Sequence, residues 1–225
     1  MELTDAAQQV QRFAGPRLTS TLGGLEAVLK DADLAVVESV LGRFSVDRDL
    51  MRGAALMKSV AGQINVVIHA AGLLASLPRI LQPGERITYL SLGAGNTGRP
   101  FDLETNHRIA EFKFIQWRGG AESIRQNSLF KDFYLLAEHP SEKPKYLFII
   151  GTGHALKFLN GGRALSSVLS RNTALARAFS ARYGDRFRTV GDYYRVRQAA
   201  VTIEDMSRWF PDLASTEATV EEDAV

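Results

Sequence analysis

Apolar residues recur every three or four positions through the first third of the chain, a spacing typical of amphipathic helices. The pattern predicts short helices over Glu2–Phe13, Leu22–Lys30 and Leu34–Gly42, separated by glycine and proline. A longer helix is expected from about Asp47 to Leu77, with Pro78 at its end. No chemistry is visible in the three short helices, so residues 1–48 are interpreted as a helical N-terminal extension.

The middle of the chain changes to short apolar runs bounded by turn residues, which favour strands. We expect strands over Arg86–Leu92, Phe101–Thr105, Arg108–Phe114 and Tyr146–Ile150, with a helix over Ala121–Glu138 before the last of them. Together with the long helix, the predicted order is αβββαβ. This order of helices and strands favours an α/β fold.

The C-terminal third is predicted to continue the same domain as far as residue 211. The pattern favours a helix over Ala164–Tyr183, a strand pair within Phe187–Val196 that turns at Gly191-Asp192, and a last helix over Ile203–Phe210. Residues 212–225 hold five acidic residues and no basic ones, so this tail is predicted to be disordered. Without it, 27 basic residues face 20 acidic ones, and the body of the protein is basic.

Cysteine is absent from all 225 residues, which excludes disulfides, thiolate metal ligands and thiol nucleophiles. Any metal is therefore expected to be bound by oxygen. The N-terminus lacks a signal-peptide pattern. The apolar stretch Ile64–Leu77 is interrupted by Asn65 and His69 and is too short to span a bilayer, and His69 is expected to be a core histidine. We expect a cytoplasmic protein without a membrane partner. The sequence leaves open whether it forms a homodimer.

The two runs around Asn106-His107 predict a β-hairpin with a two-residue loop. If Thr105 pairs with Arg108, Asp102 lies directly opposite Glu111, with β-carbons about 5 Å apart. Because side chains alternate along a strand, Lys113 shares this face, and the opposite face is expected to carry Phe101, Phe112 and Phe114.

Two carboxylates held together require a counter-charge, and a divalent cation with oxygen ligands supplies it. A neighbouring lysine adds a group that can handle a proton or stabilise charge, as in metal-assisted phosphodiester hydrolysis. The alternative is an ordinary amphipathic hairpin whose solvated face carries these three side chains, with the lysine neutralising one acid.

Asp102 and Glu111-Phe112-Lys113 resemble the PD-(D/E)xK nuclease superfamily, whose restriction endonuclease-like αβββαβ core has a mixed central sheet flanked by helices. The resemblance covers about residues 50–151, with the usual proline displaced by one position to Pro100. It implies that Asp102, Glu111 and the carbonyl of Phe112 bind Mg²⁺ or Mn²⁺, and that Lys113 orients or deprotonates the attacking water.

The resemblance also implies a catalytic role for Gln126. In recombination-type members a glutamine on this helix is followed four residues later by tyrosine. Here Gln126 is present, and Phe130 replaces the tyrosine. The alternative is that Gln126 is a partly exposed polar residue of the helix.

Nucleic acid is the partner that the resemblance and the basic body imply, and DNA is the expected kind. Arg99, in a loop whose G-x-G-x-x-G pattern lacks the helix needed for a dinucleotide site, is a candidate phosphate contact, as is Arg125. Nine arginines and no lysine lie between Gly162 and Trp209, and Arg195 and Arg197 are the candidates there. A solvated basic face is the alternative. The rival function is a catalytically inactive nuclease-fold protein that binds nucleic acid or a protein.

Overall fold

The computed structural model describes residues 1–93, 98–117 and 123–214. By its internal packing the chain divides into two compact units, Met1–Val67 and Ile68–Val225. Part of the predicted phosphate-contact loop, residues 94–97, and the acidic tail beyond residue 214 lie outside the described residues. The predicted domain limits at residues 48 and 211 stay predictions.

The N-terminal part is helical, as the spacing of its apolar residues predicts. Its helices are α1 (Leu3–Ala14), α2 (Leu18–Leu29), α3 (Leu34–Arg43) and α4 (Arg48–Ile80). Side chains cap two of them, because Asp33 accepts a hydrogen bond from the amide of Val36 at 3.0 Å and Asp47 accepts one from the amide of Leu50 at 2.9 Å.

The expected end of α4 at Pro78 is wrong, because the helix continues through the proline to Ile80. The amide of Leu81 still donates to the carbonyl of Leu77 at 2.9 Å, so the helix loses only the hydrogen bond that the proline nitrogen cannot make. By length and composition alone, α4 is long and apolar enough to cross a membrane. This corrects the expectation, based on Ile64–Leu77, that the apolar segment is too short to span a bilayer. Such a helix is weak evidence for a membrane protein, since the core helix of a soluble protein passes the same test.

A five-stranded mixed sheet forms the centre of the second unit. Its strands lie in the order β1 (Ile87–Leu90), β2 (Leu103–Thr105), β3 (Ile109–Lys113), β4 (Lys145–Ile149) and β5 (Thr202–Asp205). Strand β2 is antiparallel to both of its neighbours, β1 and β3, and β3, β4 and β5 run parallel. In the hairpin, Leu103 pairs with Ala110 and Glu104 with Ile109, which confirms the predicted register.

Helices cover both faces of this sheet. Helix α5 (Ser123–Ala137) connects β3 to β4 and buries Leu129, Phe130, Phe133 and Leu136 on the face that carries Ile109. The other face carries Ala110, Phe112 and Phe114 and packs against Leu73 and Ile80 from the C-terminal end of α4. Glu111 and Lys113 alternate with these phenylalanines and therefore point towards α5.

Phe101 does not share a face with Phe112, so that part of the hairpin prediction is wrong. It packs in the cluster of Ile109, with its ring edge-on to His139 at 5.1 Å. The reason is that β2 begins only at Leu103, so Phe101 precedes the strand and does not follow its alternation.

The C-terminal third differs most from its prediction. After β4 come α6 (Thr152–Leu159), which was not predicted, and then α7 (Leu165–Leu169) and α8 (Thr173–Tyr183) in place of one helix over Ala164–Tyr183. Asn172 breaks that helix because its side chain accepts a hydrogen bond from the amide of Leu175 at 3.0 Å and begins a new one.

The predicted strand pair in Phe187–Val196 is wrong, because this segment contains α9 (Val190–Arg197), followed by a 3-10 turn at Gln198–Ala200. Thr189 and Asp192 form a reciprocal capping box that begins α9. The predicted helix over Ile203–Phe210 is also wrong, since its first residues belong to β5, which pairs with β4. Only the short α10 (Pro211–Ala214) follows among the described residues.

Candidate functional site

Asp102 lies where β2 and β3 separate. Its amide donates to the carbonyl of Ala110 at 3.1 Å, and its side-chain Oδ2 accepts the amide of Phe112 at 3.0 Å. The carboxylate thus takes the place that a further β2 residue would occupy in the ladder. Only 14% of the Asp102 side chain is exposed, so a largely buried carboxylate lies against the edge of β3 beyond the last paired residue of β2.

Glu111 extends from β3 towards α5, with 11% of its side chain exposed. Burial above all, and also the nearby carboxylates of Asp132 and Asp102, raise the pKa of its carboxyl to about 8, although the ammonium of Lys113 opposes them. A carboxyl in this position holds a proton near neutral pH unless a cation takes its place.

The ammonium of Lys113 joins two acids, one on its own strand and one on α5. Nζ lies 2.5 Å from Oε1 of Glu111 and 2.7 Å from Oδ2 of Asp132. Burial lowers the pKa of Lys113, but the two carboxylates outweigh it and hold the pKa above its usual range. Lys113 is therefore fixed and charged beside Glu111.

Asp132 is a site residue that the sequence analysis missed. It is an acid on the otherwise apolar face of α5, its side chain is 6% exposed, and it also accepts a hydrogen bond from Ser128 at 3.2 Å. The available signal was a single aspartate inside the apolar run Leu129–Leu136, where an unpaired charge is costly.

The backbone of Phe112 is directed towards Asp102. A residue in an antiparallel ladder points its amide and its carbonyl to the same neighbouring strand. The carbonyl of Ala110, two residues earlier, accepts the amide of Asp102, and the amide of Phe112 donates to the Asp102 side chain. The carbonyl of Phe112 is thus on the side of β3 where Asp102 lies.

Two carboxylates and a backbone carbonyl are the oxygen donors that Mg²⁺ and Mn²⁺ prefer. Asp102, Glu111 and the carbonyl of Phe112 therefore fit such an ion chemically, and an ion there would oppose the burial and the neighbouring carboxylates that raise the pKa of Glu111. Among the described residues, no three histidine, aspartate or glutamate side chains are grouped closely enough to hold a metal by themselves. Water and substrate oxygens would have to complete the coordination.

His69 is the second residue that the sequence analysis did not place at the site. Its Nε2 lies 3.4 Å from Oδ1 of Asp102, and its ring meets Phe114 edge-on at 5.8 Å. The expectation of a core histidine is only partly right. Most of the His69 side chain is buried, but 24% of it is exposed. Nothing in the sequence linked it to a residue 33 positions away.

Gln126 and Arg125 lie near the start of α5. The side-chain oxygen of Gln126 accepts a hydrogen bond from Arg163, and Arg125 donates to the carbonyl of Gln116 at 3.0 Å. Among the described side chains, no hydrogen bond joins Gln126 to Asp102, Glu111 or Lys113. Its catalytic role stays a prediction.

The remaining candidate phosphate contacts already bind acids of this chain. Arg99 pairs with Glu104 and lies over the ring of Tyr89, and Arg195 pairs with Asp192 at 2.6 Å. Arg197 donates to the carbonyl of Ala137 at 2.6 Å, and its Nε lies 2.9 Å from Glu138. Arg195 is the more exposed of the two C-terminal candidates, with 62% of its side chain accessible against 31% for Arg197.

Comparison with known proteins gives no relative. No protein-family model matches the chain, and the curated proteins and the solved structures likewise give no significant match.

Proposed function

We propose that the protein is a metal-dependent nuclease that hydrolyses phosphodiester bonds in nucleic acid, with DNA as the expected substrate. The observation that carries this proposal is that Asp102 binds the backbone amide of Phe112, while the residues on either side of Phe112, Glu111 and Lys113, contact each other. The α4-β1-β2-β3-α5-β4 order around these residues supports the nuclease-type core that the sequence predicted.

Asp102, Glu111 and the carbonyl of Phe112 would hold Mg²⁺ or Mn²⁺. When bound, the ion polarises the scissile phosphate and stabilises the charge that develops on it. Lys113, held between Glu111 and Asp132, would orient the attacking water and donate a hydrogen bond to the phosphate. The basic body of the protein supports nucleic acid as the substrate, because phosphate contacts supply most of the affinity for it.

The test is digestion of single-stranded DNA, double-stranded DNA and RNA, each with Mg²⁺ or Mn²⁺ and each with a chelator. We expect Lys113→Ala to retain metal binding, because an ammonium is not a ligand, yet to cleave at least about 100-fold more slowly. Asp102→Ala should lose both metal binding and cleavage. Glu142→Ala and Lys157→Ala change exposed residues of the same types and should cleave like the wild type.

A second function, binding without catalysis, has one observation in its favour. Lys113 already neutralises part of the charge on Glu111 and Asp132 within the chain, as it would in a purely structural cluster. In that case no nucleic acid is cleaved with either metal, and Mg²⁺ changes the melting temperature of neither the wild type nor Asp102→Ala. These two results together would replace the nuclease proposal.

Nucleic-acid binding is tested separately from cleavage through its salt dependence. If Arg195 contacts a phosphate, Arg195→Ala should reduce the slope of log affinity against log salt by about 1. An unchanged slope would remove Arg195 from the contact surface. Arg197 is a poor choice for this test, since its removal also breaks the contacts with Glu138 and Ala137.

A further inference from the structure

Exposed apolar side chains are concentrated in the unit Met1–Val67. This unit holds 14 of the 19 large apolar side chains that are exposed among the described residues. Only three of its apolar residues of any size are buried, namely Ala6, Val40 and Leu50. Helix α2 is apolar and buries no residue. Because burial of apolar surface is the main force that offsets chain entropy, a unit with so little core requires a partner surface.

Helix α4 carries the most regular part of this surface. All residues from Lys58 to Val67 are exposed, and Lys58 is the only charged residue between Gly53 and Pro78. Met57, Val60, Ile64 and Val67 follow one another at spacings of three and four, and Ala71 and Leu74 continue the series. A repeat of seven with two apolar positions is the pattern of a helix that pairs with another helix in a coiled coil.

A membrane does not explain this surface. The apolar stretch of α4 is long enough to span only if it includes Leu73 and Ser76, and both are fully buried, with Ser76 in contact with Met206. The exposed part, ten residues, is about 15 Å long, half of a bilayer core. A helix lying in the membrane surface needs a basic polar face, but residues 1–67 hold eight acidic residues and seven basic ones.

We propose that the face of α4 formed by Met57, Val60, Ile64 and Val67 pairs with the same face of a second copy of this chain, so that the protein is a homodimer. A second copy supplies a helix with the matching seven-residue repeat, which is what such a face binds. The near-equal number of acidic and basic residues in this unit suits association with itself, since neither sign dominates. The proposal does not depend on the nuclease activity.

Sedimentation velocity on the full chain tests it. The wild type should sediment as a dimer, and the double variant Val60→Glu/Ile64→Glu as a monomer with unchanged helix content by circular dichroism. Val196→Glu, at an exposed apolar position of α9, is the matched control and should remain a dimer. A monomeric wild type at tens of micromolar overturns the proposal. So does a double variant that is folded and still dimeric.

Cross-linking gives a second measurement that does not require the double variant to fold. Because the chain has no cysteine, single cysteines at positions 57, 60, 64 and 67 report directly on their neighbours. Mild oxidation should link copies covalently at one or more of these positions but not in Val196→Cys. Absence of a linked dimer at all four positions overturns the proposal. So does flotation of a monomeric wild type with vesicles of phosphatidylcholine and phosphatidylglycerol, which would assign the face to lipid.

Discussion

Replacing Glu111 by glutamine should change how stability depends on pH. In the folded protein without metal, burial and neighbouring carboxylates raise the pKa of Glu111 from 4.5 to about 8. Between these two values the unfolded chain is ionised while the folded chain keeps its proton. Stability therefore falls as the pH rises through this window, because the folded state binds more protons than the unfolded state.

The magnitude follows from the width of the window. At about 1.4 kcal/mol for each pH unit between 4.5 and about 8, the loss accumulates to at most about 5 kcal/mol. Movement of Lys113 and entry of water would reduce it. Glutamine has the same shape and cannot ionise, so Glu111→Gln should gain stability relative to the wild type as the pH rises, and the two should differ least near pH 5.

Urea unfolding at pH 5, 6, 7 and 8 in the presence of a chelator measures this difference. Glu142→Gln, which changes an exposed acid, should follow the wild type at every pH. Adding Mg²⁺ at pH 8 should stabilise the wild type but not Glu111→Gln, since a bound ion removes the cost of the buried carboxylate. Unfolding free energies of wild type and Glu111→Gln that run parallel from pH 5 to 8 would refute the reasoning.

Two further predictions concern parts of the fold that hold the site. Glu85→Ala should cost about 3–5 kcal/mol in urea unfolding, because it leaves the guanidinium of Arg108 buried without the carboxylate that it contacts at 2.8 and 2.9 Å; a cost below 1 kcal/mol would contradict this. Gly72→Ala should cost about 1–3 kcal/mol, since its Cβ would lie 2.5 Å from the ring of Phe114. Gly62→Ala, which has open space on the same helix, should instead be neutral or stabilising, and equal effects at both glycines would contradict the packing argument.

The hairpin could be predicted because its signals are local. A two-residue loop at Asn106-His107 sets the register, and the amide of Thr105 does donate to the carbonyl of Arg108 at 2.9 Å. Asp102 precedes the first paired residue of β2, and its side chain reaches the edge of β3 by accepting the amide of Phe112. The face of Phe101 could not be read in the same way, because alternation holds only inside a strand and the sequence does not show where β2 begins.

Long-range contacts determine the features that the sequence did not reveal. Strand β5 exists because residues 202–205 pair with β4, and the isolated run Thr-Ile-Glu-Asp does not specify that partner. Asp132 and His69 reach the site from α5 and α4, two helices that pack on opposite faces of the sheet. Helix α9 is different, since the capping box at Thr189 and Asp192 was visible in the sequence and outweighs the turn signal of Gly191.

The balance of charge at the site favours a role beyond stability. Lys113 contacts two acids, Glu111 and Asp132, and the carboxylate of Asp102 acts electrostatically on Glu111, in a region where these acids are largely buried. A cluster that only stabilised the fold would gain from apolar replacements, because the cost of burying charges commonly exceeds their attraction. When these four groups are ionised they carry an excess of two negative charges, which Lys131 offsets in part from 3.7 Å away from Asp132. A proton on Glu111 reduces the excess further, so under the nuclease proposal a divalent cation would compete with that proton for the same carboxyl.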